Sequence, residues 1–228
     1  MKLSHLFSAA AAGVLALTVL SGCATSPGTA SLRRGDPNPV AYKPRNPDNV
    51  RVKVSLSKQQ VYVMEGDRPL LVAATCVGTP QKPTPRGNFR VTRKENKKRS
   101  YSYGYWVKGD EIRPGTSGAR PGPGYSYVGY PMQYWVEFLP AYGFHTGYVW
   151  PVPRTHGCLR MHKNVSGKFY ELVKVGTPVS IADHQPEDAT IGANVPRPQD
   201  YNDPDPSPHL MVSSAAFMSP TGSQLREP

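Results

Sequence analysis

Phe144-His145-Thr146-Gly147-Tyr148-Val149-Trp150-Pro151-Val152-Pro153-Arg154-Thr155-His156-Gly157-Cys158-Leu159-Arg160-Met161 sets one cysteine between His156 and Arg160, directly after Gly157, with a second histidine, His145, thirteen residues upstream. A thiol titrates near 8.5, so little of it is ionised at neutral pH unless a base or a positive charge lowers that value. A drop of about two units would make roughly three-quarters of it thiolate at pH 7. His145, His156 and Arg160 are the side chains able to cause such a drop. Gly157 has no Cβ, so a substrate carbonyl can approach the backbone there. Backbone N–H groups at Gly157 and Cys158 can then face a developing oxyanion. On spacing alone two readings stay open, a nucleophile or a small buried hydrophobe flanked by ordinary histidines, because catalytic Cys and His are neighbours in space rather than in sequence.

The run Thr155-His156-Gly157-Cys158-Leu159-Arg160-Met161 resembles the signature of the L,D-transpeptidase (YkuD-like) catalytic domain. That signature is a histidine followed, after a loop, by Ser/Thr-His-Gly-Cys-hydrophobic-Arg, and it is matched without a gap. Lys82-Pro83-Thr84-Pro85-Arg86-Gly87-Asn88-Phe89-Arg90-Val91 is similar to the family's Thr-Pro-x-Gly-x-Phe turn and strand. Pro131-Met132-Gln133-Tyr134-Trp135 is similar to the segment leading into the first histidine, and Val173 to Ile181 to the closing helix end and strand. The resemblance covers about residues 50 to 183. It implies a mainly β domain, a small sandwich or barrel with one short helix near its C-terminal end. It also implies acyl transfer through a thioester. His145 would serve as general base and Cys158 would attack the carbonyl of diaminopimelate in a peptidoglycan tetrapeptide stem. Terminal D-Ala would leave, with backbone amides at His156, Gly157 and Cys158 holding the oxyanion. An amine would then resolve the acyl-enzyme, either the side-chain amine of another stem peptide or a lysine of an envelope lipoprotein. In the same scheme Thr155 orients a histidine, Arg160 supports the turn or meets a substrate carboxylate, and Thr146 lies beside the substrate. Thr146-Gly147 departs from the Gly-Thr or Gly-Ser found in many members, and the loop to Cys158 is short; both bear on the acceptor side of the site.

Met1 to Cys23 reads as a targeting segment, with Lys2 at its positive end and an apolar run from Leu6 to Leu20. Fifteen residues at 1.5 Å rise span about 22 Å, short of the roughly 30 Å hydrocarbon core, which argues against a permanent transmembrane helix. Leu20-Ser21-Gly22-Cys23 looks like a bacterial lipobox, making residues 1–23 a lipoprotein signal peptide with lipid on Cys23. Each acyl chain contributes about 0.8 kcal/mol per buried methylene, so several chains on one residue make a stable membrane anchor. Ala24 carries no acidic retention signal, and the resemblance then points to the outer membrane, facing the periplasm. Residues 24–48, rich in Pro, Asn, Gly and Ser without hydrophobic periodicity, read as a flexible tether, whose r.m.s. reach is about 25 to 30 Å.

Residues 49–184 are the expected catalytic domain. Arg51 to Leu56 alternates polar and apolar residues and Gln59 to Met64 repeats the pattern, as half-buried strands do. Leu70 to Val77 is a continuous apolar run suited to a central strand, and Cys76 within it reads as a core thiol. A Cys76–Cys158 disulfide would consume the proposed nucleophile. Residues 93–129 are basic, Gly/Pro-rich and carry five tyrosines between Tyr101 and Tyr127. They read as a solvated surface loop, or else as a flap over the cleft. Two strands, Tyr134 to Leu139 and Ala141 to Thr146, place His145 near a strand end. Asn164 or Ser166 is the expected cap of a helix running to about Val175, with Phe169, Leu172 and Val173 on its apolar face and Gly176 ending it. His162 and His184 read as surface residues. Residues 185–228, rich in Pro, Asp, Asn and Ser, read as a disordered tail.

A formal net charge of +11 favours anionic partners: lipid headgroups, lipopolysaccharide phosphates or wall-peptide carboxylates. Nucleic acid fits poorly, since no nucleic-acid motif accompanies the basic and aromatic residues and the leader exports the chain. No cofactor is called for. A zinc site built from His145, His156, Cys158 and His162 lacks a paired C-x-x-C or H-E-x-x-H arrangement. Two rivals stand beside transfer to an amine. Water could resolve the same acyl-enzyme, giving a carboxypeptidase or release of a wall-linked lipoprotein, or the chain could be a non-catalytic wall-binding lipoprotein, which leaves the Thr155-His156-Gly157-Cys158 run unexplained.

Overall fold

A computed structural model of the chain describes residues 38–217 and 224–227. Cys23, the leader and most of the tether lie outside the described residues. The strands run β1 (Val50–Ser55), β2 (Gln60–Glu65), β3 (Arg68–Ala74), β4 (Gly87–Arg90), β5 (Arg93–Lys108), β6 (Glu111–Thr116), β7 (Ser126–Leu139), β8 (Tyr142–Thr146) and β9 (Leu159–Met161). Helix α1 (Lys163–Leu172), strand β10 (Pro178–Ala182) and the short helix α2 (Pro208–Val212) follow. They form two five-stranded sheets, ordered β3-β2-β1-β10-β4 and β6-β5-β7-β8-β9. The fold is mainly β, with α1 as the one long helix among the described residues.

Strand β1 behaves as its sequence does: Val50, Val52 and Val54 are buried while Arg51 stays in solvent, the two-residue period of a strand with one face on a core. Val52 is paired with Val63 of antiparallel β2 and with Val179 of parallel β10. The first sheet thereby turns Val52, Val54, Val61, Val63, Val179 and Ile181 toward one core, which Val136, Phe138, Phe144, Leu159 and Met161 enter from the second sheet. Helix α1 adds Val165, Phe169 and Leu172 to the same core, and the Phe169 ring meets Phe144 at 4.6 Å between centroids. Its start differs from expectation. His162 is the cap, its Nδ1 accepting from Asn164 N–H at 3.2 Å, and it is buried rather than on the surface. The helix stops at Leu172, short of Val175, and Gly176 follows in a left-handed turn.

The surface loop expected at 93–129 is instead largely ladder. Strands β5, β6 and the first half of β7 form an antiparallel three-stranded extension, interrupted by a register shift between Arg99 and Gly104 that bulges residues 100–103. Strands that are polar on both faces give no apolar alternation to read.

The disordered tail expected from 185 is also corrected over its described residues. Strand β2 is buried on both faces because Ile191 and Val195 cover Tyr62, Met64 and Val72 on the side away from the main core. The Tyr62 hydroxyl donates to Asp188 at 2.7 Å, and the Arg197 guanidinium donates to the carbonyls of Thr75, Trp150, Lys58 and Gln59. Upstream, part of the expected tether packs too: Ala41 is buried, Tyr42 N–H donates to Leu70 O, and Lys168 Nζ donates to Pro39 O. Ordered chain therefore extends past both expected boundaries, 49 and 184.

Candidate active site

Strands β8 and β9 are parallel neighbours, with Phe144 opposite Leu159, His145 opposite Arg160 and Thr146 opposite Met161. Phe144, Leu159 and Met161 enter the core. Side chains alternate along strands, so His145 and Arg160 face the other way, and Cys158, two residues before Arg160, joins them. The pairing of two short strands thus assembles on one sheet face three residues that the sequence separates.

The loop that carries Cys158 is held by backbone from Cys76 to Thr79. Cys76 and Arg160 exchange N–H to O bonds of 2.9 and 3.0 Å, Arg154 and Thr155 N–H both reach Val77 O, and Thr79 N–H reaches Thr155 O. Within the loop the Thr155 hydroxyl accepts from Gly157 N–H at 3.1 Å and donates to Cys158 O at 2.6 Å. Thr84, from the turn before β4, donates to Gly157 O at 2.9 Å and accepts from Gly78 N–H. Gly157 has φ +104°, and a Cβ there would stand 2.5 Å from Tyr142 Cε1. Only glycine fits. One expected oxyanion donor is therefore spent inside the loop, since the Gly157 N–H serves Thr155. The N–H groups of His156 and Cys158 find no acceptor among the described residues.

His145 Nδ1 lies 2.8 Å from Thr146 O. A carbonyl only accepts, so Nδ1 carries the proton and Nε2 keeps the lone pair of a base. Burial and the Arg160 charge hold the imidazole down to about 3, leaving it neutral. Burial also pushes the Cys158 thiol above its usual range, against the lowering effects of a Gly143 backbone hydrogen bond and the charges of Arg160 and Lys98. The expected two-unit drop is thus absent from the free site: thiol and imidazole rest as a neutral pair. The thiol contacts Ala141 O at 3.7 Å, and Ala141 itself is left-handed, at φ +68°. Such strain in a non-glycine residue clusters at functional sites.

The remaining expected residues divide. His156 is exposed, its ring tilted against Tyr103 at 4.8 Å between centroids, and its pKa is lowered by burial and by Lys82 and Arg160. Thr146 serves through its carbonyl, because its hydroxyl faces away to Ser166 at 2.7 Å and to Gln133 O. Cys76 and Cys158 are both free thiols, and Cys76 is buried. Among the described residues no group of three or more His, Cys, Asp or Glu converges as metal ligands do. Sequence reasoning overlooked Thr84, although it lies in a quoted motif, and overlooked Lys98, Tyr103 and Trp135, which reach the site only through the β5–β7 ladder.

Residues 49–181 match the family model described as YkuD, L,D-transpeptidase catalytic domain. No curated protein matches the chain. Similar solved structures include an L,D-transpeptidase from Mycobacterium smegmatis (18% identity, TM-score 0.44, 59% of this chain and 58% of that one). They also include one from Stackebrandtia nassauensis (20%, 0.43, 64% and 60%) and L,D-transpeptidase 1 of Mycobacterium tuberculosis (20%, 0.42, 59% and 60%). The matched part spans about three fifths of the length of each of these structures.

Proposed function

The chain belongs to the YkuD family of L,D-transpeptidase catalytic domains, and we propose that it is a peptidoglycan transpeptidase working through a Cys158 thioester. The observation that carries the reading is the common sheet face of Cys158 and His145, with the His145 tautomer fixed by Thr146 O. Nε2 of His145 takes the thiol proton as sulfur attacks the carbonyl of the diaminopimelate residue in a tetrapeptide stem. The tetrahedral oxyanion is received by the N–H groups of His156 and Cys158. On collapse the C–N bond breaks, the proton on His145 passes to the departing D-Ala amine, and an acyl thioester remains. An acceptor amine, from a second stem or a lipoprotein lysine, then gives a proton to His145 and attacks the thioester. An amide forms and the Cys158 thiol is restored.

A base and a thiol that rest neutral suit this sequence, since charge separates only when substrate is present and Arg160 stands beside both groups. The reading extends to the whole protein: lipid on Cys23 would tether the domain to the periplasmic side of the outer membrane, within reach of the wall. The test is to incubate purified protein with tetrapeptide muropeptides and weigh enzyme and products. An adduct at Cys158 with gain of dimer supports transfer. Loss of D-Ala without dimer assigns the acyl-enzyme to hydrolysis, and no adduct from muropeptide or carbapenem rules out the enzyme reading.

A further inference from the structure

On the β5 side of the cleft, Lys98 is 5% exposed and has no carboxylate partner among the described residues. Its ammonium lies 4.0 Å from the centroid of the Tyr101 ring and 5.3 Å from that of Trp135. Two aromatic faces offset part of the cost of removing a cation from water, but they do not neutralise it. Trp135 is itself buried, and its indole Nε1–H has no acceptor among the described residues. Buried polar groups left unpaired in this way ask for an explanation.

Trp135 adjoins the site, and Lys98 packs on Trp135. The Trp135 ring neighbours His145 at 6.2 Å between centroids, and its benzo edge abuts Gly143, where a Cβ would meet Cζ2 at 2.9 Å. Gly143 is the residue whose backbone hydrogen-bonds the Cys158 thiol, and the Lys98 charge acts on that thiol as well. Tyr101, 74% exposed and carried on the 100–103 bulge, covers Lys98 from solvent. The Lys98 ammonium over the Trp135 ring and the indole N–H of the same ring are two donors on touching side chains, the number a carboxylate accepts with its two oxygens.

We propose that Lys98 and Trp135 Nε1–H form a carboxylate subsite for the leaving end of the donor stem, its terminal D-alanine carboxylate, with Tyr101 as the group displaced when that carboxylate enters. This rests on the transpeptidase reading. In a tetrapeptide donor the terminal carboxylate belongs to the residue just beyond the scissile carbonyl, about 3.8 Å further by Cα spacing. A cation packed on Trp135, the ring that neighbours His145, is in place to meet it. The subsite selects donors that end one residue past the bond to be broken, because a stem continuing further carries an amide where the anion should be.

The test times acylation of Cys158 by intact mass with two tetrapeptide muropeptides that differ only in a free or an amidated terminal carboxylate. Wild type, Lys98→Met and Lys98→Arg are compared. Wild type is expected to take the free acid about tenfold faster or more, the yield of one charge-assisted contact. Lys98→Met is expected to lose that preference: loss of the charge that acts on the thiol slows both donors, and the free acid slows by about tenfold more than the amide, whose continuing acylation also shows that the site is folded. Lys98→Arg should restore most of the preference. Equal wild-type rates on the two donors, or an equal loss on both in Lys98→Met, overturn the subsite while leaving the transpeptidase reading in place. Absence of a Cys158 adduct from either donor overturns that reading, and the subsite with it.

Discussion

In the proposed reaction Cys158 and His145 are a nucleophile and a base that rest neutral until substrate arrives. Burial acts on both in the direction of neutrality, raising the thiol and lowering the imidazole, and Arg160 opposes the first effect while adding to the second. The pH dependence follows in sign. Alkylation of Cys158 by iodoacetamide, followed by mass, should accelerate with pH through an inflection above the ordinary thiol value of about 8.5, and Arg160→Met should move that inflection higher still. An inflection below 8 would show a pre-formed ion pair instead. Thr155 is the second residue on which the site turns, since one hydroxyl both holds Gly157 N–H and reaches Cys158 O. Thr155→Val keeps the shape and removes both bonds. It should cost about 1 to 3 kcal/mol of stability through the orphaned buried groups, read as a fall in thermal midpoint, and should slow acylation by about tenfold or more as the oxyanion donors shift.

Strand β8 was legible as the expected strand from Ala141 to Thr146, and the Cys158 loop because its residue types are chemically unusual, whereas the three residues of β9 are too few to show a period. The β5–β7 ladder was not legible either. Lys94, Lys97, Lys98 and Arg99 in succession read as a solvated face, whereas the structure buries Lys98 against aromatic rings and sets Arg99 against the carbonyls of Gly129, Met211 and Ser213. A side chain that is apolar for four carbons and charged at the tip can line a wall that no hydropathy pattern announces. The 100–103 bulge is where this element meets the site, since it aims Tyr101 over Lys98 and Tyr103 onto His156. Its geometry depends on Gly129 of β7, where a Cβ would lie 1.9 Å from Ser100 O. Gly129→Ala should therefore push the bulge outward. The expected result is a loss of about 1 to 3 kcal/mol from overpacking, together with slower acylation of Cys158 while its alkylation by iodoacetamide changes little. Unchanged acylation in a folded Gly129→Ala protein would remove the bulge from any part in substrate binding.

Across the whole molecule, the segment after Asp183 decides where the domain ends. It carries little apolar periodicity, so composition alone makes it a tail, yet a few polar anchors bind it as an integral part of the domain. Asp188 is one: against the burial that would raise it, the Tyr62 hydroxyl, Gln185 N–H and Ser55 hydroxyl hold it below the usual carboxylate range. A carboxylate depressed in the folded state contributes stability above its unfolded value, near 3.9, and loses that contribution as pH falls through the folded value. Asp188→Asn should accordingly be less stable than wild type at pH 7, with the deficit shrinking toward pH 2 to 3 in denaturant titrations. Arg197 is the stronger anchor, for its guanidinium gathers carbonyls from Lys58, Gln59, Thr75 and Trp150. Thr75 immediately precedes the backbone that pairs with Arg160, and Trp150 lies on the loop leading to Cys158. One half-buried cation thus ties the C-terminal segment to the loop that carries Cys158. Bonds from a charged donor are worth about 1.5 to 3 kcal/mol each, and a domain holds only about 5 to 15 kcal/mol in all. A chain ending at residue 184 would leave those carbonyls unpaired and uncover Tyr62, Met64 and Val72, so it should be largely unfolded or aggregated at 25 °C, whereas removing a disordered tail would leave the thermal midpoint where it was. Arg197→Met in the full chain should fall between the two, with a lowered midpoint and slower acylation of Cys158 measured on the fraction that remains folded.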